Sequence, residues 1–499
     1  MKTFSNKLHE LIHSLTKKER LLFKQQCLSH SVHDNSGYLT VFEMYEKQAK
    51  ANEQEIKDQC KLKNFSRIKN YLQVQVEDFI SEFNTGSPIS HLGKMLSAAE
   101  TMYKRSLYKQ SLDILTKALK LAQKNELYSY SLIITEFVSK INLELNLSGN
   151  YAKANDSERE LDELLEKIKR EIEFNNFMGR VRAFKLKKNI VIRNEVDLKE
   201  LTEIIAPILK KGENYPLSLA SKWKYYMGLG LYYVTIKNYE SASYHFKQCV
   251  VLFEKIKNKN REQEQTSIYS LTNLMYSYSS IRNYKMMKQT LDELKNIQVK
   301  FKSNEHYKTD TCFLYEVYWL RHGAPANKTN LLKKLDKEFE LKQEEIRIDF
   351  RIHTINNLSV NYFMQSDFKK ALYWVNKMDN LENPAVMKSV TNLLKIYRLI
   401  LFYEMGQFDY LEYAINNTYR NLLVNTAYYQ FEKIIISSLK KLIVANTPVK
   451  QKEIFEILSD KLSKLKNDFY ENNVFWVFNF YGWARCKFNN EGFDKIETF

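Results

Sequence analysis

Apolar residues recur every three or four positions through most of this chain, which predicts helices along most of its length. Near the start, Leu8, Leu11 and Ile12 give a short helix its buried side. Thr16-Lys17-Lys18-Glu19 then forms a capping box, in which the Thr hydroxyl and the Glu carboxylate satisfy free backbone N–H groups ahead of Leu21, Leu22, Phe23 and Cys27. The polar run at 29–37 ends that helix. A third helix runs from Tyr38 to Ala49 on Leu39, Phe42, Met44 and Tyr45, and two more cover 53–63 and 66–83. Five short helices with polar connections predict a helical cap over residues 1–85. The run NTGSPIS at 84–90, rich in turn-forming residues, marks the domain boundary.

From residue 91 the pattern becomes one of paired helices. In 223–254, Gly230, Tyr233, Tyr239, Ala242 and Phe246 fall where two antiparallel helices interlock, because helices that approach closely need a small side chain between them. Ala99, Ser111, Leu115 and Ala118 hold the same offsets in 98–122. Met287 follows Ala242 by 287 − 242 = 45 residues, and Leu411 follows Ala371 by 411 − 371 = 40, longer intervals than the shortest helix-pair repeats show. The clearest units are 98–122, 223–254, 266–297, 352–379 and 393–419. Between them lie a weak turn at Gly149-Asn150-Tyr151 and a charged helix at 157–174 with Leu161, Leu164, Leu165 and Ile168 on one stripe. Further helix pairs are expected at 301–349 and 427–468, and a last helix, apolar on nearly every side, at 473–488. The expected fold is all-α: an N-terminal helical cap, then an irregular array of helix pairs over 91–499.

Composition narrows this picture. Gly (12) and Pro (6) are too scarce for the many hairpins of an all-β fold. Lys and Arg outnumber Asp and Glu by 76 to 59, a net charge of +17, which can attract nucleic acid or acidic partners. The signs are interleaved through most helices, however, and a dedicated footprint clusters its charge. Five widely spaced cysteines with no CxxC suggest neither a disulfide framework nor a cysteine zinc site and fit a reducing compartment. No stretch reaches the length of an apolar membrane span, and the N-terminus lacks the apolar run of a signal peptide, so a soluble, cytoplasmic protein is expected.

The five units resemble tetratricopeptide repeats, whose pattern is a small residue, an aromatic, Ala, then an aromatic or aliphatic residue; Gly230, Tyr233, Ala242 and Phe246 match it best. Met287 and Leu411 depart from it. The N-terminal LIHSLTKKERLLFK with NFSRIKNYL, and the ending YGWARCKFNNEGFDKI, are similar to a group of tetratricopeptide-repeat proteins from Bacteroidota. The resemblance implies an α-solenoid and, by analogy, protein binding.

Candidate chemistry is sparse. His9-Glu10-Leu11-Ile12-His13 has the HExxH spacing that puts two zinc ligands on one helix face, but it lacks the upstream segment of zinc proteases and a defined third ligand. No Gly-rich phosphate loop, GxSxG elbow or kinase signature occurs. No enzyme activity, metal or cofactor is therefore expected. The expected function is a protein-interaction scaffold that takes a protein or peptide partner on a concave face, with Lys224, Tyr269, Asn273, Tyr276, His353 and Asn357 lining it. The run 180–193, six basic residues and no acidic one, offers Arg180, Arg182, Lys185, Lys187 and Lys188 as an anion-binding patch. The alternative is a nucleic-acid-associated regulator using the basic segment 57–72 of the cap, although residues 1–90 hold 13 Lys and Arg against 11 Asp and Glu.

Overall fold

The computed structural model describes residues 7–29, 36–48, 52–60, 64–83, 87–145, 151–187, 192, 194–254, 256, 259–323, 328–378, 388–424 and 429–498, and all their regular structure is helical. In chain order the helices are α1 (Lys7–Ser14), α2 (Lys17–Ser29), α3 (Ser36–Lys47), α4 (Glu53–Cys60), α5 (Phe65–Phe83), α6 (Pro88–Lys104), α7 (Tyr108–Lys124) and α8 (Tyr128–Glu144). Next come α9 (Tyr151–Lys187), α10 (Glu195–Lys211), α11 (Leu219–Thr235), α12 (Tyr239–Glu254), α13 (Arg261–Ser280), α14 (Tyr284–Asn296), α15 (Lys302–His322) and α16 (Lys328–Lys342). The last are α17 (Ile348–Met364), α18 (Phe368–Lys377), α19 (Lys388–Glu404), α20 (Phe408–Val424), α21 (Gln430–Ile443), α22 (Pro448–Lys466) and α23 (Phe480–Asn489). Gly149 and Asn150, assigned to a turn from sequence, lie outside the described residues.

Two compact units result, Met1–Leu165 and Glu166–Phe499. The division falls inside α9 rather than at the polar run of 84–90. In the first unit, α1 to α5 close around Leu8, Ile12, Phe23, Phe42, Leu72 and Phe79. A separate core under α6 to α8 holds Leu92, Ala99, Leu115, Ala118, Ile134 and Ile141. The Thr16 capping box forms as expected: the Thr16 N–H donates to Glu19 Oε2 at 2.7 Å and the Glu19 N–H to Thr16 Oγ1 at 3.2 Å.

Among the described residues, one turn joins the helices of six pairs. Ser106, Glu126, Lys237, Arg282, Ser366 and Gly406 all take φ between 54° and 69°. The N–H of the next residue reaches back five positions, as Leu107 does to Met102 O, Asn238 to Tyr233 O and Gln407 to Phe402 O, in bonds of 2.8–3.1 Å. This is the Schellman motif, which satisfies carbonyls that a helix end leaves unpaired. Five of the six left-handed residues are not glycine and carry a cost of about 1 kcal/mol each. An aromatic residue opens the second helix every time: Tyr108, Tyr128, Tyr239, Tyr284, Phe368 and Phe408. Three residues on sits a fully buried side chain: Ser111, Ser131, Ala242, Met287, Ala371 and Leu411.

The same register explains the departures at Met287 and Leu411. Twelve residues before the buried position, on the first helix of the pair, lie Ala99, Leu119, Gly230, Met275, Ser359 and Leu399. Small is thus matched with small in Ala99/Ser111, Gly230/Ala242 and Ser359/Ala371, and large with large in Met275/Met287 and Leu399/Leu411, while Leu119/Ser131 breaks the match. The small pairs let backbones meet: Ser111 Oγ donates to Ala99 O and Ser359 Oγ to Ala371 O, both at 2.8 Å. A Cβ at Gly230 would lie 2.4 Å from the Phe246 ring, and one at Gly228 2.2 Å from Phe177 of α9.

From α11 to α17 in the second unit, alternate helices also bond to one another. Trp223 Nε1 of α11 donates to Ser270 Oγ of α13 at 3.0 Å, and Tyr315 of α15 reaches back to Thr272 O of α13 at 3.0 Å. Asn361 of α17 reaches Val317 O of α15 at 3.2 Å. The apolar run 473–488 departs from expectation, since only α23 is an α-helix there. A 3-10 turn at Glu471–Val474 precedes it, and Asn479 ends the irregular stretch by accepting from Gly482 N at 2.9 Å and donating to Ile496 O at 2.7 Å. The amide thereby caps one helix and ties down another segment, which a continuous helix would not allow.

Ala242→Phe is expected to destabilise the protein by at least about 1–3 kcal/mol, because Ala242 is fully buried opposite Gly230. Urea denaturation checks this, and an unchanged midpoint would show that the two helices do not interlock there.

Candidate functional site

Polar side chains of α15 and α17, with Lys237 in the turn after α11, meet a later part of the chain itself. The segment from Phe469 to Asn479 is held by these side chains, with main-chain carbonyls as the points of attachment. The Lys237 ammonium, in the turn after α11, bonds to Phe469 O and sits 4.8 Å over the Phe469 ring. Arg321 of α15 donates to Trp476 O at 3.4 Å, and Asn356 of α17 donates to Val477 O at 3.0 Å. Beyond this the segment anchors by its rings, with Phe478 4.9 Å from Phe363 and 4.5 Å from Tyr397.

Arg321 is the hub of this arrangement. Only 4 % exposed, it bonds to Glu497 Oε1 at 2.6 Å, to Trp476 O and to Asn357 Oδ1 at 3.4 Å. Glu497 belongs to the 3-10 turn Phe493–Thr498, so one guanidinium ties α17 and two separate pieces of the C-terminal segment together. Despite burial, the opposing charge of Arg321 and its hydrogen bond hold the Glu497 carboxyl below the usual range.

The six residues singled out from sequence fall into two groups. His353 and Asn357 meet the C-terminal segment: the His353 ring lies 5.0 Å from Trp476, and Asn357 accepts from Arg321 while donating to His353 O at 2.9 Å. Burial holds His353 down to about 4, so it is neutral at pH 7. Lys224, Tyr269, Asn273 and Tyr276 lie on α11 and α13. Tyr276 is 42 % exposed, and burial of its hydroxyl raises the pKa of that group. Burial lowers the ammonium pKa of half-buried Lys224, against the pull of Glu171 and Glu262. Asn273 turns its amide onto its own helix, at 2.8 Å from Tyr269 O.

The basic run behaves differently. Arg180 and Arg182 are exposed on α9, flanking the apolar stripe of Phe174, Phe177, Met178 and Val181, while the side chains of Lys185 and Lys187, and all of Lys188, lie outside the described residues. In the cap, Lys24 and Lys69 are paired at 2.7 Å with Glu46 and Glu53. His9 and His13 donate from Nε2 to Gln48 O at 2.9 Å and Tyr45 O at 3.0 Å, satisfying carbonyls at the end of α3. Among the described residues no three His, Cys, Asp or Glu side chains converge in a metal-holding group. Nor is any helix among them long and apolar enough to cross a membrane. His245 stacks on Tyr233 at 5.2 Å and is held down to about 4 by burial, the setting of a packing residue.

No protein-family model matches this chain, and neither does any curated protein.

The residues that hold the C-terminal segment, Lys237, Arg321 and Asn356, were not evident from sequence. One signal pointed to them: α17 is buried at nearly every position yet carries Asn356, Asn357, Ser359 and Asn361, and buried amides require partners.

Arg321→Ala is expected to cost about 3–5 kcal/mol in urea denaturation, because it leaves the Glu497 carboxylate without its ion pair. Stability is also expected to fall with pH. The unfolded chain takes up a proton on histidine near pH 6.5, whereas folded His353 does so only near 4. The contribution of neutral His353 is therefore complete above about pH 6.5 and lost as pH falls towards 4. His353→Phe, which keeps a ring against Trp476, is expected to flatten the decline between pH 7 and pH 5, and an identical decline would remove His353 from the account.

Proposed function

We propose that the chain is a non-catalytic scaffold in which stacked helix pairs form an irregular tetratricopeptide-like α-solenoid that binds a segment of a protein partner along its first helices. The observation that carries this reading is the mode of holding Phe469–Asn479: Lys237, Arg321 and Asn356 grip main-chain carbonyls, and aromatic rings receive its side chains. The segment held here is a run of turns around a 3-10 turn, so a face built this way recognises a partner by its free main-chain carbonyls, with specificity left to the side-chain pockets. The α15–α17 part is filled by the chain itself. The partner's place is on α11 and α13, where Lys224, Tyr269 and Tyr276 are in part open to water. In that setting Tyr269 and Tyr276 supply flat apolar contact with a hydroxyl, and Lys224 supplies a cation for a partner carboxylate. A helical-pair scaffold in the cytoplasm is the corresponding setting.

Affinity capture from native cells tests the reading, comparing the natural chain with K224E/Y269A/Y276A. One specific protein recovered by the first and lost by the second, at equal melting temperature, is expected. Recovery unchanged by the three substitutions removes this face as the binding surface.

A further inference from the structure

Helix α20 leaves more apolar side chain in water than its packing within the second unit explains. It packs on α19 and α21 with Leu411, Ile415 and Leu422 buried. Phe408, Tyr410, Tyr413, Leu423 and Val424 are nevertheless exposed, five large apolar side chains on a helix of 17 residues. Tyr413 is 68 % exposed and Val424 84 %. Apolar surface gathered in this way marks a contact site.

The exposed residues form a seam. Tyr410, Tyr413, Asn417, Arg420 and Val424 follow one another at steps of three, four, three and four residues, the spacing at which one helix presents a continuous strip to another. At about 100° per residue this strip lies on the side of α20 opposite Leu411, Ile415 and Leu422, so all of it faces away from the core of its own unit. Asn417 and Arg420 are exposed with the rest. The strip is about 21 Å long. The Tyr410 ring packs edge-on against Phe402 at 4.7 Å, which holds one end of the strip in place before any partner arrives.

We propose that α20 pairs antiparallel with α20 of a second copy of this chain, about a two-fold axis at Asn417. The order of residues along the strip selects this occupant. Asp409, Glu412 and both tyrosines occupy its first half and Arg420 and Val424 its second, with Asn417 at the midpoint. Among the described residues Arg420 forms no salt bridge. An antiparallel copy brings each Arg420 to the acidic, aromatic half of its neighbour, where a guanidinium is attracted by carboxylates and by tyrosine rings. A parallel copy sets arginine beside arginine. On the axis Asn417 meets its own counterpart, and an amide, carrying donor and acceptor together, complements itself. A single polar residue within a seam also fixes its register. The contact is thus self-complementary, as a two-fold interface must be. One helix pair is small for an interface, so the dimer is weak and reversible. It is separate from the α11–α13 face and stands whether or not that face binds a partner.

Sedimentation equilibrium of the full chain tests this, in about 0.15 M salt to screen the net charge of +17 between copies. A monomer–dimer equilibrium with a dissociation constant of about 10–100 µM is expected. Y413K, which sets an ammonium against Arg420 of the other copy, is expected to weaken the dimer at least about tenfold at an unchanged melting temperature, because Tyr413 is exposed. Y413E sets a carboxylate against the same arginine and is expected to dimerise more tightly than Y413K. On mild oxidation N417C is expected to form a disulfide between copies, whereas the natural chain and N416C, whose substitution lies off the strip, are not. A chain that stays monomeric throughout overturns the proposal and leaves the strip to a partner of different sequence. A dimer unaffected by Y413K, one no tighter in Y413E than in Y413K, or one in which N416C cross-links as readily as N417C, also overturns it.

Discussion

The left-handed turn between paired helices is the constraint on which the rest of this structure depends. It fixes where the first helix stops, turns the chain in two residues and starts the second helix on an aromatic residue, so that the position three further on points back at its partner. Positions twelve residues apart are thereby set across the two helices of each pair, as Ser111 with Ala99 and Ser359 with Ala371. Its two hydrogen bonds offset a backbone conformation that L-residues otherwise avoid, and the turn is kept even where the left-handed residue is Ser, Glu, Lys or Arg. The size at these positions then varies, and in five of the six pairs both sides vary together, as Met275 with Met287 and Leu399 with Leu411 do, while Leu119 and Ser131 differ.

Much of this was legible in the sequence. The helical content, the five helices of the cap, the Thr16 capping box and the fully buried positions Ala99, Ser111, Leu115, Ala118, Ala242, Met287, Ala371 and Leu411 follow from periodicity and spacing. The reason is that those features are local: a cap or an apolar stripe is set by residues within one or two turns. Ser131 escaped notice because a serine at a core position resembles a surface residue until its register is known. The turn itself was hidden for a similar reason, since glycine is its usual mark and only Gly406 carries it.

What the sequence withheld lies in contacts between distant residues. The grip of Lys237 on Phe469, of Arg321 on Trp476 and of Asn356 on Val477 spans between 121 and 232 residues, and no spacing rule connects such positions. The segment 473–488 looked like one apolar helix because its aromatics are buried whether the backbone is helical or not. Asn479, with one amide serving both a helix start and the carbonyl of Ile496, decided the matter. The same contacts explain why a face expected to be uniformly open divides, with His353 and Asn357 covered and Lys224, Tyr269 and Tyr276 in part open to water.

The bond between Arg321 and Glu497 has a further consequence, for the way in which the protein folds. An array whose pairs touch only their neighbours gains stability one pair at a time and can form from any point outward. Here the first helices around α15 and α17 bury charge and amide groups whose partners are made 121 to 176 residues later. During synthesis those groups must wait, hydrated and only loosely ordered, until the segment from Phe469 to Thr498 arrives. The second unit thus gives up the piecemeal assembly of a simple repeat stack for a single late closure, and its helices rise or fall in stability together.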